Sequence, residues 1–267
     1  MDQQSKVAVV GAGIMGEALI AALISSGVNP ELITISEKRS DRSAELIAKY
    51  SIKQAPLTSN VAAADALLLV VKPQDMAGVL EEIKGSINPK AVVITFAAGK
   101  TISFIGNGLG TGNPVIRVMP NTPTMVGAGM AAASMGAGVT AAQRQFVLGF
   151  LAATGKVIEV AEELQDAVTA TSGSGPAYFF AFVEAMVAGA KELGLSEQDA
   201  TTLTVQTIVG AAKLLDESGK SATTLRENVT SPNGTTAAAL ASFGSSDLNS
   251  MVAKAMKAAS DRSQELA

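Results

Sequence analysis

The sequence predicts an α/β protein: an amino-terminal, mostly parallel sheet with helices on both faces, followed by an all-helical carboxyl-terminal part. Three observations predict it. Short, continuously apolar segments such as Val7–Val10, Ala66–Val71 and Ala91–Thr95 alternate with helical periods, and unbroken apolar runs of that length mark strands buried on both faces. The first strand runs directly into Gly11-Ala12-Gly13-Ile14-Met15-Gly16, a G-x-G-x-x-G turn opening a helix. Beyond Glu162–Ala167 no strand pattern recurs and long apolar helices take over.

Val7–Val10 is the first strand, and Glu17–Ser26 has a helical period that stops at Gly27. Leu32–Ser36 reads as the second strand and Asp41–Tyr50 as a helix with a polar face. Ala66–Val71 is halted by Pro73, which cannot donate to a sheet ladder. Met76–Ile83 is helical, Ala91–Thr95 and Val115–Val118 are further buried strands, Gln143–Ala153 is a helix and Lys156–Val160 the last strand. The glycine-rich stretches Gly106–Asn113 and Gly127–Gly138 read as loops. Two domains are expected, 1–163 and 164–267. In the second, Pro176 opens a long helix ending near Gly194, and Ser196 caps the next, with Asp199 three residues on and Gly219 at its end. Phe179, Phe180, Phe182 and Val183 cover more than one face of the Pro176 helix. A helix apolar on every side must be buried, and a second copy of the chain is the simplest cover, so a homodimer is expected.

Composition excludes several classes of chemistry. The 267 residues include neither cysteine nor histidine, which removes disulfides, thiol nucleophiles, thiolate metal sites, catalytic triads and imidazole acid–base catalysis. No metal site is read. A net charge of −4 argues against nucleic acid as a partner and gives no basic patch for a membrane. The opening Met1–Lys6 lacks a basic signal-peptide start, and the apolar run that follows is broken by glycines and Glu17. A cytoplasmic protein is the expectation.

The glycine turn carries the first functional reading. In a Rossmann-type domain its glycines supply a tight turn, close approach of backbone to a pyrophosphate and close helix–strand packing, while the helix N-terminus offers free N–H groups. Glu37 stands where an acidic side chain binds a ribose 2′-hydroxyl and favours NADH. Its neighbours Ser36, Lys38 and Arg39 complement a 2′-phosphate instead and tip the reading to NADPH, with NADH the alternative. Lys72-Pro73, Ala97-Ala98-Gly99 and Met119-Pro120-Asn121-Thr122-Pro123 each follow a buried strand, where ligands of open α/β sheets bind. A second sharp feature is Val229-Thr230-Ser231-Pro232-Asn233-Gly234-Thr235-Thr236. It builds a helix N-terminus rich in hydroxyls that suits a carboxylate, or else a plain capped turn with no ligand.

Taken with Val71-Lys72-Pro73 and Ser172-Gly173-Ser174-Gly175-Pro176-Ala177-Tyr178, these motifs follow the order of the pyrroline-5-carboxylate reductases, which the chain resembles over nearly its whole length. The resemblance implies NAD(P)H-dependent reduction of 1-pyrroline-5-carboxylate, a cyclic imine carboxylate, to L-proline. This is the last step of proline biosynthesis, catalysed by an oxidoreductase acting on CH–NH groups. It implies a helical dimerisation domain and a homodimer, often assembled further. By residue-wise carry-over, Val10, Gly11, Ala12, Gly13, Ile14, Met15, Ser36, Asn60, Val70, Val71, Lys72, Pro73, Phe96, Ala97 and Ala98 would line the cofactor. Ser231, Gly234 and Thr235 would hold the substrate carboxylate, and Thr236 would bond the imine nitrogen. One departure is Asn233, where the family usually has glycine. Asparagine tolerates unusual backbone angles, so the turn is expected to survive. Competing readings are a 3-hydroxyacid dehydrogenase, for which Lys191 and Lys213 lack the expected asparagine four residues on, and a dinucleotide sensor without turnover.

Overall fold

The computed structural model describes Met1 and residues 4–266. Asp2 and Gln3, part of the stretch read against a signal peptide, and Ala267, the end of the second expected domain, lie outside the described residues. The chain divides into two compact units, residues 1–174 with 259–267, and residues 175–258.

The first unit is an α/β sandwich. In order it contains β1 (Val7–Val10), α1 (Ile14–Ser25), β2 (Ile33–Ser36), α2 (Ser40–Tyr50), β3 (Lys53–Gln54), α3 (Leu57–Ala63), β4 (Ala66–Leu69), α4 (Met76–Ile83), β5 (Val92–Thr95), α5 (Ile102–Leu109), β6 (Val115–Met119), β7 (Gly129–Met135), α6 (Ala141–Ala152), β8 (Gly155–Glu159) and α7 (Gln165–Val168). The strands form one eight-stranded sheet in the order β3-β2-β1-β4-β5-β6-β7-β8. Every pair is parallel except β6 with β7. Side chains alternate across each strand, so Val7 and Val9 join one core while Ala8 and Val10 join the other. The first core is closed by Leu19, Ile20 and Leu23 of α1, Leu46 of α2 and Phe150 of α6. The second is closed by Val61 of α3, Leu80 and Ile83 of α4 and Ile105 of α5. Each fully buried Leu or Ile contributes about 1.5–3 kcal/mol by leaving water.

The sheet departs from the sequence reading at two places. Gly127–Gly138, expected to be a loop, contains β7, held between β6 and β8. Its run of glycine and alanine has little intrinsic strand preference; ladder bonds on both edges supply what local propensity lacks. Gly106–Asn113, also expected to be a loop, begins inside α5. Thr101 caps that helix by accepting from the Phe104 N–H at 3.0 Å, and Ile105 and Leu109 anchor its inner face. Gly108 packs closely there, since a Cβ would lie 2.7 Å from Leu80 Cδ1 and the leucine would have to shift. The short β3 and α3 had no counterpart in the sequence pattern.

The first unit extends past 163 to Ser174 for an identifiable reason. Gln165, fully buried, donates through Nε2 to Ala132 O at 3.2 Å and Ser134 Oγ at 2.8 Å. Asn121 Nδ2 donates to Ser172 O at 3.1 Å. These bonds hold α7 and the π-helical turn Thr169–Gly173 to the sheet.

The second unit is all-helical: α8 (Gly175–Glu192), α9 (Glu197–Glu217), α10 (Ala222–Asn228), α11 (Thr235–Ser245) and the start of α12 (Leu248–Glu265). Ser196 caps α9 as the sequence predicts, accepting from the Asp199 N–H at 3.1 Å. Its apolar side chains remain open in the single chain: Phe179 is 62% exposed, Phe180 63% and Leu203 57%.

Candidate functional site

In the first unit, register brings the predicted strand ends to one edge. Val10 pairs with Ser36 on one side and Leu69 on the other, and Leu69 pairs with Thr95. The segments after β1, β2, β4 and β5 therefore emerge side by side. The strand order reverses at β1, and the crevice beyond the carboxyl ends at such a switch point is where open α/β sheets bind ligands.

The glycine turn is fixed from several directions. Gly11 adopts φ +87°, donates to Ser36 O at 3.0 Å, and lies so close to β4 that a Cβ would sit 2.8 Å from Val70 O. A Cβ on Gly16 would collide with the Gly11 carbonyl. At Gly13, by contrast, a Cβ would meet no protein atom within 4 Å, so the outer side of the turn is open for a ligand to approach the backbone. Gly13 is the N-cap of α1 and offers no side-chain cap. The first helical bond is Glu17 N–H to Gly13 O, which leaves the N–H groups of Ile14, Met15 and Gly16 without partners inside the helix. Such an open helix N-terminus can take an anion. Ile14 is 64% exposed at its rim, and Ala12 is buried beneath it.

Two charged side chains lie beneath the turn: Glu37, read from the sequence as a ribose acid, and Arg42, which had no reading there. Glu37 Oε2 accepts from the Ala12 N–H at 2.9 Å and Oε1 from the Arg39 N–H at 3.0 Å. Burial opposes the charged form of Glu37, but the N–H groups of Ala12 and Arg39 outweigh it, and the carboxyl titrates below its ordinary range. Arg42 donates through Nε to Ala12 O at 3.1 Å and also bonds Glu17 and Glu45. Glu17 in turn accepts from Lys49 at 2.9 Å and Tyr50 Oη at 3.1 Å. Lys49 first, then Arg42 and Tyr50, hold the Glu17 carboxyl at about 2 against the opposing effect of burial. Arg42 lies thirty positions from Ala12 in sequence, and no local pattern links the two.

The other predicted cofactor residues divide by role. Ser36 donates to Ala55 O at 3.0 Å and accepts from Asn60 Nδ2 at 2.9 Å. Asn60 is buried and also donates to Thr34 O at 3.1 Å, so both side chains clamp the end of β2. Lys38 and Arg39 are exposed, with Arg39 Nε 3.6 Å from Glu37. Val70 donates to Val10 O at 2.9 Å, and Val71, Lys72 and Pro73 lead into a 3₁₀ turn. Phe96 donates to Leu69 O at 3.0 Å, and Phe96 and Ala97 are largely buried, with Ala98 following them. Asn121 lies after β6 as expected, yet its amide is committed to Ser172 O and the Met130 N–H.

In the second unit, Ser231–Gly234 forms the predicted turn at the start of α11. Gly234 donates to Ser231 O at 3.0 Å, and a Cβ there would collide with Ser231 Oγ. Asn233 adopts φ +60°, a left-handed angle that asparagine tolerates better than most residues. Gly234 caps α11 without a side chain, and Ala238 N–H to Gly234 O is the first helical bond. The N–H groups of Thr235, Thr236 and Ala237 are thus left without helical partners. Thr236 is half-buried, one residue inside that N-terminus.

No group of three or more acidic side chains among the described residues is placed to hold a metal ion. No helix among them is long and apolar enough to cross a membrane.

Comparison with known proteins bears on both units. Residues 162–266 match the model of the pyrroline-5-carboxylate reductase dimerisation domain, and residues 6–99 match a model described as NADP oxidoreductase, coenzyme F420-dependent. The chain is 40% identical to the pyrroline-5-carboxylate reductase of Corynebacterium melassecola over 97% of its own length and 98% of that protein's. Among solved structures, the pyrroline-5-carboxylate reductase of Coxiella burnetii superposes with a TM-score of 0.90 at 34% identity, covering 99% of each chain. The pyrroline carboxylate reductase of Plasmodium falciparum, solved with NADP bound, superposes with a TM-score of 0.88 at 26% identity, covering 100% of this chain and 99% of that one.

Proposed function

The chain belongs to the pyrroline-5-carboxylate reductase family and reduces 1-pyrroline-5-carboxylate to L-proline with NAD(P)H; we propose that the glycine turn after β1 holds the nucleotide and that the Ser231–Thr236 turn holds the imine. The observation that carries the reading is the open backbone at Gly13 beneath unpartnered N–H groups, where a Cβ meets nothing within 4 Å. When bound there, the reduced nicotinamide supplies the hydride. The chain's residues supply placement. N–H groups at the start of α1 take the pyrophosphate, and the segments Val70–Pro73 and Phe96–Ala98 flank the path of the nicotinamide. In the second unit, Ser231 and the backbone of Gly234 and Thr235 take the substrate carboxylate, favoured by the positive end of the α11 dipole.

Thr236 then orients and polarises the imine nitrogen. A chain with no histidine has no side chain whose ordinary pKa lies near neutrality, and a threonine hydroxyl is too weak an acid to act as a conventional proton donor. The proton therefore comes from water or arrives on the substrate as an iminium. Positioning and electrostatics carry most of the rate. The reading includes a homodimer covering Phe179, Phe180 and Leu203, which the single chain leaves exposed, and a cytoplasmic location, where reduced nicotinamides are at hand. The dehydrogenase alternative lacks its signature, since Leu195 and Glu217 stand where an asparagine is expected four residues after Lys191 and Lys213.

The test is NAD(P)H oxidation with 1-pyrroline-5-carboxylate, with L-proline identified as product. Thr236→Ala is expected to lower kcat about a hundredfold and leave nucleotide affinity nearly unchanged. A fully active variant removes Thr236 from the chemistry; Lys72, which follows β4, is the rival proton donor, and Lys72→Met then tests it. Nucleotide binding without turnover would leave a sensor.

A further inference from the structure

Arg117 lies in β6, beside Thr95 of β5 in parallel register, and is only 5% exposed. A guanidinium stays charged at any working pH, so a buried one needs counter-charges. Two carboxylates supply them: Glu162 Oε1 at 3.5 Å and Asp166 Oδ1 at 3.4 Å. Neither oxygen serves Arg117 alone. Glu162 Oε1 also accepts from the Ile102 N–H at 2.6 Å, at the start of α5. Asp166 Oδ1 also accepts from Ser263 Oγ at 2.7 Å, near the end of α12, and Ser263 is itself buried.

Both branches close on one stretch of chain, the connection from β5 to α5. Glu162 holds its far end at Ile102. Its middle is Gly99, at φ +75°, and the end of α12 lies directly on that glycine: a Cβ there would be 2.7 Å from Ser263 O and from Leu266 Cβ. Asp166 anchors the same turn of α12 through Ser263. Well-packed apolar residues commonly stabilise a fold as much as buried ion pairs do, so stability alone is a poor reason for this cluster. What it adds is direction: one guanidinium fixes two separate holds on the connection after β5.

We infer that Arg117 is a positioning residue for the reduction: through Glu162, and through Asp166 and Ser263, it fixes the connection after β5 and with it the Ala97 and Ala98 backbone beside the nicotinamide. This rests on the reading of Phe96–Ala98 as flanking the nicotinamide path. The pyrophosphate is held elsewhere, at the start of α1, so a loosened connection leaves nucleotide affinity in place. The loss falls on hydride transfer, where a displacement of about 1 Å can cost about a hundredfold.

The experiment is single-turnover oxidation of NADPH by the full chain in excess, saturated with 1-pyrroline-5-carboxylate and read as a first-order rate constant. Nucleotide dissociation constants come from titration of nicotinamide fluorescence. The rate constant does not depend on how much of a variant is folded, so a merely structural role would lower the amplitude and leave it unmoved. Arg117→Met is expected to slow it about tenfold or more, with the dissociation constant within about twofold of wild type. Arg117→Lys keeps the charge and should recover part of that loss. Ser263→Ala cuts one branch only and should slow the step about threefold. An unchanged rate constant in Arg117→Met overturns the inference, as does a loss confined to the dissociation constant. If Arg117→Met does not fold, Ser263→Ala decides alone, and wild-type speed there overturns the inference. Absence of nucleotide binding or turnover in wild type overturns the site assignment along with this inference, whereas an active wild type matched by its variants overturns the inference alone.

Discussion

Glu17 offers the sharpest test of how α1 and α2 hold the glycine turn in place. Its carboxylate receives Lys49, Tyr50 and Arg42, and Arg42 continues to the carbonyl of Ala12. The perturbation is Glu17→Gln. Lowering the carboxyl from 4.5 to about 2 sets a ceiling of roughly 3 kcal/mol, at about 1.4 kcal/mol for each tenfold change in acidity. The largest contributor, Lys49, is 57% exposed, so solvent screening reduces the expected loss to about 1–2 kcal/mol. The sign follows from a folded-state value below the unfolded one. The contribution is fully present above 4.5 and disappears as pH falls toward 2. Urea unfolding of wild type and Glu17→Gln at fixed protein concentration should differ by about 1–2 kcal/mol at neutral pH, with more than half of that gap gone by about pH 3. A gap that is the same at both pH values would falsify the electrostatic account, and so would no gap at neutrality.

Three further outcomes follow from close contacts. Gly16→Ala places a methyl against the Gly11 carbonyl; it is expected to destabilise the fold by about 1–3 kcal/mol and to weaken nucleotide binding about tenfold or more, read by the same titration. At Asn233, with φ +60°, Asn233→Gly should keep kcat and KM close to wild type, while Asn233→Val should cost about 1–2 kcal/mol of turn stability and raise the KM for the imine; equal behaviour of the two variants would remove backbone strain as the reason. Gly99, at φ +75°, has no room for a Cβ, which would lie 2.7 Å from Leu266 Cβ and Ser263 O. Gly99→Ala should therefore release the carboxyl-terminal turn, and hydrogen exchange should rise at Ser263 and Leu266, where wild type keeps the Ser263 Oγ to Asp166 bond at 2.7 Å.

The parts of this protein legible in the sequence are those governed by local rules. β1 and α4 fall on the predicted residues, and β2, β4, β5 and β6 differ only at their ends, because an unbroken apolar run flanked by turns has few alternatives. Ser196 announces α9 by its own chemistry. What stayed hidden depends on distant partners. β7 is a strand because β6 and β8 bracket it, not because Gly129–Met135 prefers to be one. α3 is seven residues long, about two turns, too short for an apolar repeat to stand out. The same division holds at the site. The glycine turn and the Ser231–Thr236 turn were visible as motifs. The roles of Arg42 under Ala12 and of Asn60 under Ser36 were not, since each spans more than twenty positions of sequence.

That hidden layer bears on how a chain without an imidazole or thiol can be an oxidoreductase. With no titrating side chain to move protons at neutral pH, rate must come from placement, and placement requires a backbone that does not yield when the ligand arrives. The turn after β1 meets that requirement through bonds to three of its backbone groups. Gly11 N–H goes to Ser36, Ala12 N–H to Glu37 and Ala12 O to Arg42. The N–H groups at the start of α1 have no helical partner, and these are the ones an anion such as a pyrophosphate would take. The ion pairs beneath the turn thus fix its direction as well as adding stability. Exposed pairs such as Arg144 with Glu159 contribute little by the same physics. It follows that variants at Arg42 should raise nucleotide dissociation constants by a larger factor than variants at Arg144 of equal thermal stability. Equal factors at the two positions would mean that the network beneath the turn has no part in binding.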